Sequence, residues 1–201
     1  MQISAEKFYH DFKQAMKEDN IHQGETYLSL YKLKNRPKAK YFTNFINNTI
    51  IPGILDSYGY RISHEYFRID VSGWVTYSEN IQNEAKAIGL KPHLWDLMIA
   101  IEHENNPRDW NDEVMKLAHI RCPLKVVIGY NGCNHRDTGD AQKLSFIGNC
   151  LQQLKCFQQN PEDRLLIILG NCKDTKGSDY HTFDYRGYLY DHRHKEFQRI
   201  G

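Results

Sequence analysis

Nowhere in the 201 residues is there an apolar run approaching the roughly 18 to 20 residues of a membrane-crossing helix. The first residues, Met1 to Lys7, also lack the charged-then-apolar layout of a secretory signal. Together these absences set a cytoplasmic expectation with no membrane partner. Cysteine is scattered: Cys122, Cys133, Cys150, Cys156 and Cys172 form an odd set with no C-x-x-C pair. That pattern argues for free, mostly buried thiols in a reducing compartment. Cys133 with His135, and His192 with His194, lack the spacing of a recognised zinc module. No Walker-type P-loop, no G-x-S-x-G elbow and no G-x-G-x-x-G turn occurs, which weighs against nucleotide-hydrolysing, serine-hydrolase and classical dinucleotide-binding functions. Repeats and low-complexity segments are missing too. Charge of either sign is not in excess, with 26 basic and 25 acidic residues. This balance neither demands nor excludes a nucleic-acid partner, because attraction to phosphate fades over about 8 Å in physiological salt.

What is present is an ordinary globular composition, 40% apolar and 25% charged. The length suits a single domain spanning 1–201. Phe8, Phe12, Ala15 and Met16 recur on one face of a helix predicted over 5–18, with Ser4 as its cap. A second helical region runs over about 38–58 with Phe42, Phe45, Ile46 and Ile50 inward. Pro52 should break or kink it, and Gly59 stops it. The aromatic, β-branched stretch 60–77 reads as strand, including the alternation from Phe67 to Val71. A short helix is expected over 79–88, and Leu97 to Ile101 forms an apolar strand covered on both faces. Asn106, Pro107 and Asp109 form a helix start, followed by a buried stripe of Trp110, Val114 and Leu117. Strands over 125–130 and 165–170 bracket a helix marked by Leu144, Ile147, Cys150, Leu151 and Leu154. The aromatic and basic tail, 180–197, adds an edge strand. Alternating strands and helices from residue 60 onward imply an α/β fold with a mixed, largely central β-sheet flanked by helices.

The chemistry-bearing segment is Ile99-Ala100-Ile101-Glu102-His103-Glu104-Asn105. Side chains alternate along a strand, so Glu102 and Glu104 are expected on one face, with His103 on the other. Two acids so placed raise each other's pKa unless a cation neutralises them. Hard oxygen ligands at this density suit Mg²⁺ or Mn²⁺. Asp70 adds a third acid from a strand that can lie alongside.

An acid on one strand, followed by an apolar strand ending in Glu-x-Lys or Glu-x-Glu, resembles the signature of the PD-(D/E)xK, or restriction-endonuclease-like, nuclease superfamily. The resemblance covers about residues 42–130, which would form the core between an N-terminal helix and a C-terminal α/β extension. Asp70 resembles the first acid of that pattern; Glu102 and Glu104 match its second motif. Isoleucine stands before Asp70 where proline is usual, and Glu104 stands where lysine is commoner. Lys116, on the following helix, is placed to supply that positive charge. The resemblance implies a restriction-endonuclease-like core and Mg²⁺-dependent phosphodiester hydrolysis of nucleic acid, DNA rather than RNA. One or two Mg²⁺ ions held by Asp70 and Glu102 would polarise the phosphate and activate water, which Glu104 or Lys116 would orient. It leaves room for a homodimer.

Two further surfaces bear on a nucleic-acid partner. Lys32, Lys34, Arg36, Lys38 and Lys40 form an uninterrupted basic segment suited to phosphate contact. Arg186, Arg193, Lys195 and Arg199 could extend such a surface, with Tyr188 and Tyr190 stacking on bases. Against the catalytic reading stands a plainer one, a solvated strand end whose acids pair with Arg68 and Lys116. A third is a catalytically inactive module of the same fold that binds nucleic acid or protein. A metal-dependent hydrolase of small phosphoesters is the fourth.

Overall fold

The computed structural model describes residues 3–17, 37–91, 96–131, 137–173 and 182–201. The expected amphipathic helix is α1 (Ala5–Lys17), and Ser4 Oγ accepts the Lys7 N–H at 3.1 Å as its cap. The second helical region is built in three parts: α2 (Pro37–Phe45), a π-helical turn (Ile46–Ile50) and α3 (Ile51–Ser57). Pro52 has no N–H to give to a carbonyl one turn back, and the widened turn lies immediately before it. Gly59, at φ +72°, then closes α3 in a conformation that costs glycine little.

Seven strands follow in sequential order within one sheet: β1 (Arg61–Tyr66), β2 (Ile69–Val75), β3 (Asp96–His103), β4 (Leu124–Asn131), β5 (Arg164–Lys173), β6 (Thr182–Asp191) and β7 (Glu196–Ile200). β3, β4 and β5 are parallel; the other neighbours pair antiparallel, so the sheet is mixed. Helix α4 (Glu79–Ala87) joins β2 to β3. The two parallel crossovers carry α5 (Trp110–Ala118), α6 (Asp137–Gln153) and the short α7 (Lys155–Gln158). Both crossovers step the same way along the sheet, so equal handedness puts their helices on one face. The N-terminal helices take the other face. Two apolar clusters result, one around Phe8, Phe12, Ile46 and Leu55, the other around Trp110, Leu117, Ile147 and Leu151.

Three sequence expectations shift. The run from Phe67 to Val71 is not one strand: Tyr66 pairs with Ile69, which makes Phe67 and Arg68 a two-residue hairpin turn. Helix α5 starts at Trp110 rather than Pro107, because Asn106 Oδ1 takes the Arg108 N–H at 3.1 Å and closes a separate turn. The tail supplies two strands rather than one, and in it Arg186, Tyr188 and Tyr190 are buried. Arg186 pairs with Asp140 at 3.0 Å, and the Tyr188 hydroxyl donates to the same carboxylate at 2.9 Å. These three belong to the core and form no nucleic-acid surface; Arg193, Lys195 and Arg199 are exposed. Among the described residues, no helix is long and apolar enough to cross a membrane.

Candidate active site

Antiparallel pairing of β2 and β3 sets Val71 opposite Ile101, so Asp70 falls beside Glu102 one position further on. β1 continues the row. With His64 opposite Val71 and Tyr66 opposite Ile69, Glu65 faces Asp70 across the hairpin. Glu65 takes φ 54°, outside the extended range, and its charge still reaches the Asp70 carboxyl. Acids from three adjacent strands therefore line up where β3 leaves the sheet. Glu65 is exposed, Asp70 is half-buried and Glu102 is buried.

Lys116, in the last turn of α5, reaches down to this row. Its Nζ lies 2.8 Å from Glu102 Oε1 and 2.5 Å from Glu113 Oε2, and donates to the Arg68 carbonyl at 3.1 Å. One ammonium thus ties α5, β3 and the β1–β2 turn together. Both of these carboxylate oxygens are buried and in direct contact with the ammonium, which donates to them. Asp70 is held by the backbone, its Oδ2 accepting the His103 N–H at 2.9 Å.

Burial dominates the electrostatics. It pushes Glu102 up to about 8; the Lys116 ammonium opposes the rise, and the nearby Asp70 and Glu113 add to it. Asp70 is also raised by burial, against the pull of the His103 N–H and with added repulsion from Glu65. For Lys116, burial works against the charge, but Glu102 and Glu113 outweigh it and hold the ammonium above its ordinary range.

Glu104 lies one residue beyond the end of β3. Its N–H still bonds Ile128 O at 2.9 Å, but its Oε1 accepts the Asn106 N–H at 2.6 Å. Strand alternation lapses where the ladder stops, and the free amide of the following turn takes the carboxylate. Glu104 therefore braces its own loop, while Asp70, Glu102 and Lys116 come together. A second polar cluster reaches the same loop at Pro107. Lys143 Nζ bonds Asn131 Oδ1 at 2.6 Å and the Pro107 carbonyl at 3.3 Å, and lies over the Trp110 ring.

His103 points away from the acids, as alternation requires. Burial pushes it down to about 3, so it is neutral. Nδ1 lies 3.0 Å from Asn47 Oδ1, and Nε2 2.9 Å from the Tyr130 hydroxyl. The amide oxygen accepts, so the proton sits on Nδ1 and the tyrosine donates to Nε2. This locks the end of β3 to the π-helical turn.

Sequence reasoning overlooked Glu113 and Glu65. Glu113 had a signal in its i, i+3 spacing to Lys116. Glu65 had none before the hairpin register was known. Of the basic segment, Lys40 is exposed on α2 and Lys38 lies in the same helix; Lys32, Lys34 and Arg36 fall outside the described residues.

Among the described residues, no three His, Cys, Asp or Glu side chains stand ready-made around an ion. Asp70 and Glu102 still offer carboxylate oxygens, the donor type a hard divalent cation takes, with Glu102 Oε1 in contact with the Lys116 ammonium. No protein-family model matches the chain, and no curated protein matches it.

Proposed function

We propose that this chain is a Mg²⁺- or Mn²⁺-dependent phosphodiester hydrolase with a restriction-endonuclease-like core, acting on nucleic acid and on DNA before RNA. One observation carries the reading: Asp70 and Glu102 meet in register on adjacent strands, with the Lys116 ammonium already 2.8 Å from Glu102. Two acids and one lysine at a strand end match the charge set that the sequence resemblance implies, with the lysine drawn from α5.

A divalent ion bound by Asp70 and Glu102 would supply charge to polarise the phosphate and to acidify the attacking water. The chain's own groups do the rest. Glu102, which holds a proton near neutral pH, releases it when a cation is taken up. Asp70 is kept in place by the His103 N–H. Lys116 sits on a flexible four-carbon stem, so its ammonium can turn from Glu102 toward a phosphate oxygen while Glu113 remains its anchor. Lys116 is better placed than Glu104 to orient water, because Lys116 contacts Glu102 directly while one Glu104 oxygen is engaged by the Asn106 N–H.

A second reading, an inactive interaction module of the same fold, is favoured by the lack of a ready-made cation site among the described residues. Calorimetric titration of Mg²⁺ and Mn²⁺ into the wild type and Glu102→Gln, beside DNA-cleavage assays, separates the two. Metal heat lost in the variant, with cleavage lost in Asp70→Ala, is the expected result. Cleavage that survives Asp70→Ala refutes the site. DNA binding with neither metal heat nor cleavage transfers the assignment to the interaction module.

A further inference from the structure

The turn that Lys116 clamps is built at a cost. Two-residue hairpin turns with positive φ at both central positions are normally filled by Asn-Gly or Asp-Gly. Here Phe67 and Arg68 take φ 53° and 61°, and Glu65 just before them takes 54°. Left-handed backbone is unfavourable for residues with a β-carbon and rare for bulky ones. Phe67 is also 76% exposed, the largest exposure among the big hydrophobic side chains described.

The ring is nevertheless braced. Tyr66 packs edge-on to Phe67 with centroids 4.5 Å apart, and edge-on to Trp74 at 5.2 Å. Trp74 is buried and fixed by its indole N–H to Ser72 Oγ at 2.8 Å. An aromatic ladder thus climbs from the sheet to the tip and leaves the Phe67 ring open to solvent. Beside it, Arg68 is exposed and its guanidinium enters no ion pair among the described residues. Its carbonyl, 3.1 Å from the Lys116 ammonium, fixes the tip to the acid row. A braced aromatic face, an exposed cation and a candidate phosphodiester site lie within a few residues of one another. Base stacking on aromatic rings combined with cationic contact to the backbone is how proteins hold unpaired nucleic-acid strands.

We propose that the β1–β2 turn grips the substrate: Phe67 stacks on an unpaired base of a DNA strand, and Arg68 neutralises a backbone phosphate, beside the Asp70–Glu102 site. This rests on the phosphodiesterase reading and names its substrate as DNA with an exposed base face at the cut.

The test uses the full chain with Ca²⁺ in place of Mg²⁺, and a short single-stranded DNA carrying 2-aminopurine. Wild type should bind and change the 2-aminopurine fluorescence. Phe67→Ala should bind about tenfold or more weakly and lose that change; Phe67→Trp should restore both, and Phe67→Leu should restore neither. All variants should keep the wild-type melting temperature and Mg²⁺ heat, because the side chain is exposed. Unchanged affinity and fluorescence in Phe67→Ala would overturn the stacking while leaving the hydrolase reading intact. Rescue by leucine as complete as by tryptophan would overturn it too, since a generic apolar contact would then suffice. Wild type that binds neither single-stranded nor duplex DNA would bring down both.

Discussion

Glu102 makes the stability of this protein depend on pH in an unusual direction. Its carboxyl is held protonated up to about 8 in the folded chain, against an ordinary value of 4.5. Between those limits the folded state binds one proton that the unfolded state has released, so stability falls as pH rises. The benefit is complete below pH 4.5 and is lost by the time pH passes 8. At about 1.4 kcal/mol per pH unit, the loss across the window reaches up to about 5 kcal/mol. Glu102→Gln removes the titration and keeps a neutral side chain of the same shape, and Lys116 retains Glu113 as partner. Urea unfolding of wild type and variant from pH 5 to pH 9, without divalent ions, reads the effect. The two should be nearly equal at pH 5, and the variant should gain steadily to become clearly the more stable at pH 9. Asp70 is raised in the same direction in both proteins and cancels in the comparison to first order. Parallel curves would refute the argument, for they would mean that water or Lys116 already keeps Glu102 ionised. Millimolar Mg²⁺ should narrow the gap by favouring the charged wild-type carboxylate.

Lys116→Met should cost about 3 kcal/mol at pH 9, where it strands ionised Glu102 and Glu113, and visibly less at pH 6, where Glu102 is protonated; urea midpoints at the two pH values check it. Gly129→Ala should lower stability by about 2 kcal/mol, since a β-carbon there would come within 2.7 Å of the Trp110 ring and push α5 away from β4. A melting temperature equal to wild type would show that α5 yields freely, and with it that Lys116 is loosely held.

Periodicity alone was enough for most of the secondary structure. Apolar runs at 97–101 and 165–170 are strands because a sheet covered on both faces needs no polar side, and the spacing of Trp110, Val114 and Leu117 defines the buried face of α5. The pairing of Asp70 with Glu102 was legible in outline, as two acids near the ends of two strands, and so was the positive charge of Lys116. Cap residues gave the start of α1 correctly. They misplaced the start of α5, because Asn106 can close a turn or cap a helix and the local sequence does not distinguish them.

The turn at Phe67 and Arg68 was hidden because neither residue signals left-handed backbone; only the register of β1 on β2 imposes it. The same register brings Glu65 opposite Asp70, a contact between residues whose types show no preference for each other. Arg186, Tyr188 and Tyr190 read as a basic, aromatic surface, yet they are core: α6 brings Asp140 over β6 to meet Arg186 and Tyr188, and the Tyr190 ring packs on Phe157 and Phe197. Local sequence determined which segments are helix or strand and which residue types carry charge. Burial, register and the partner each charge meets are long-range properties of the packed chain, so only the tertiary structure decided that Glu102 is buried, that Lys116 answers it and that Glu104 takes the Asn106 N–H of its own loop.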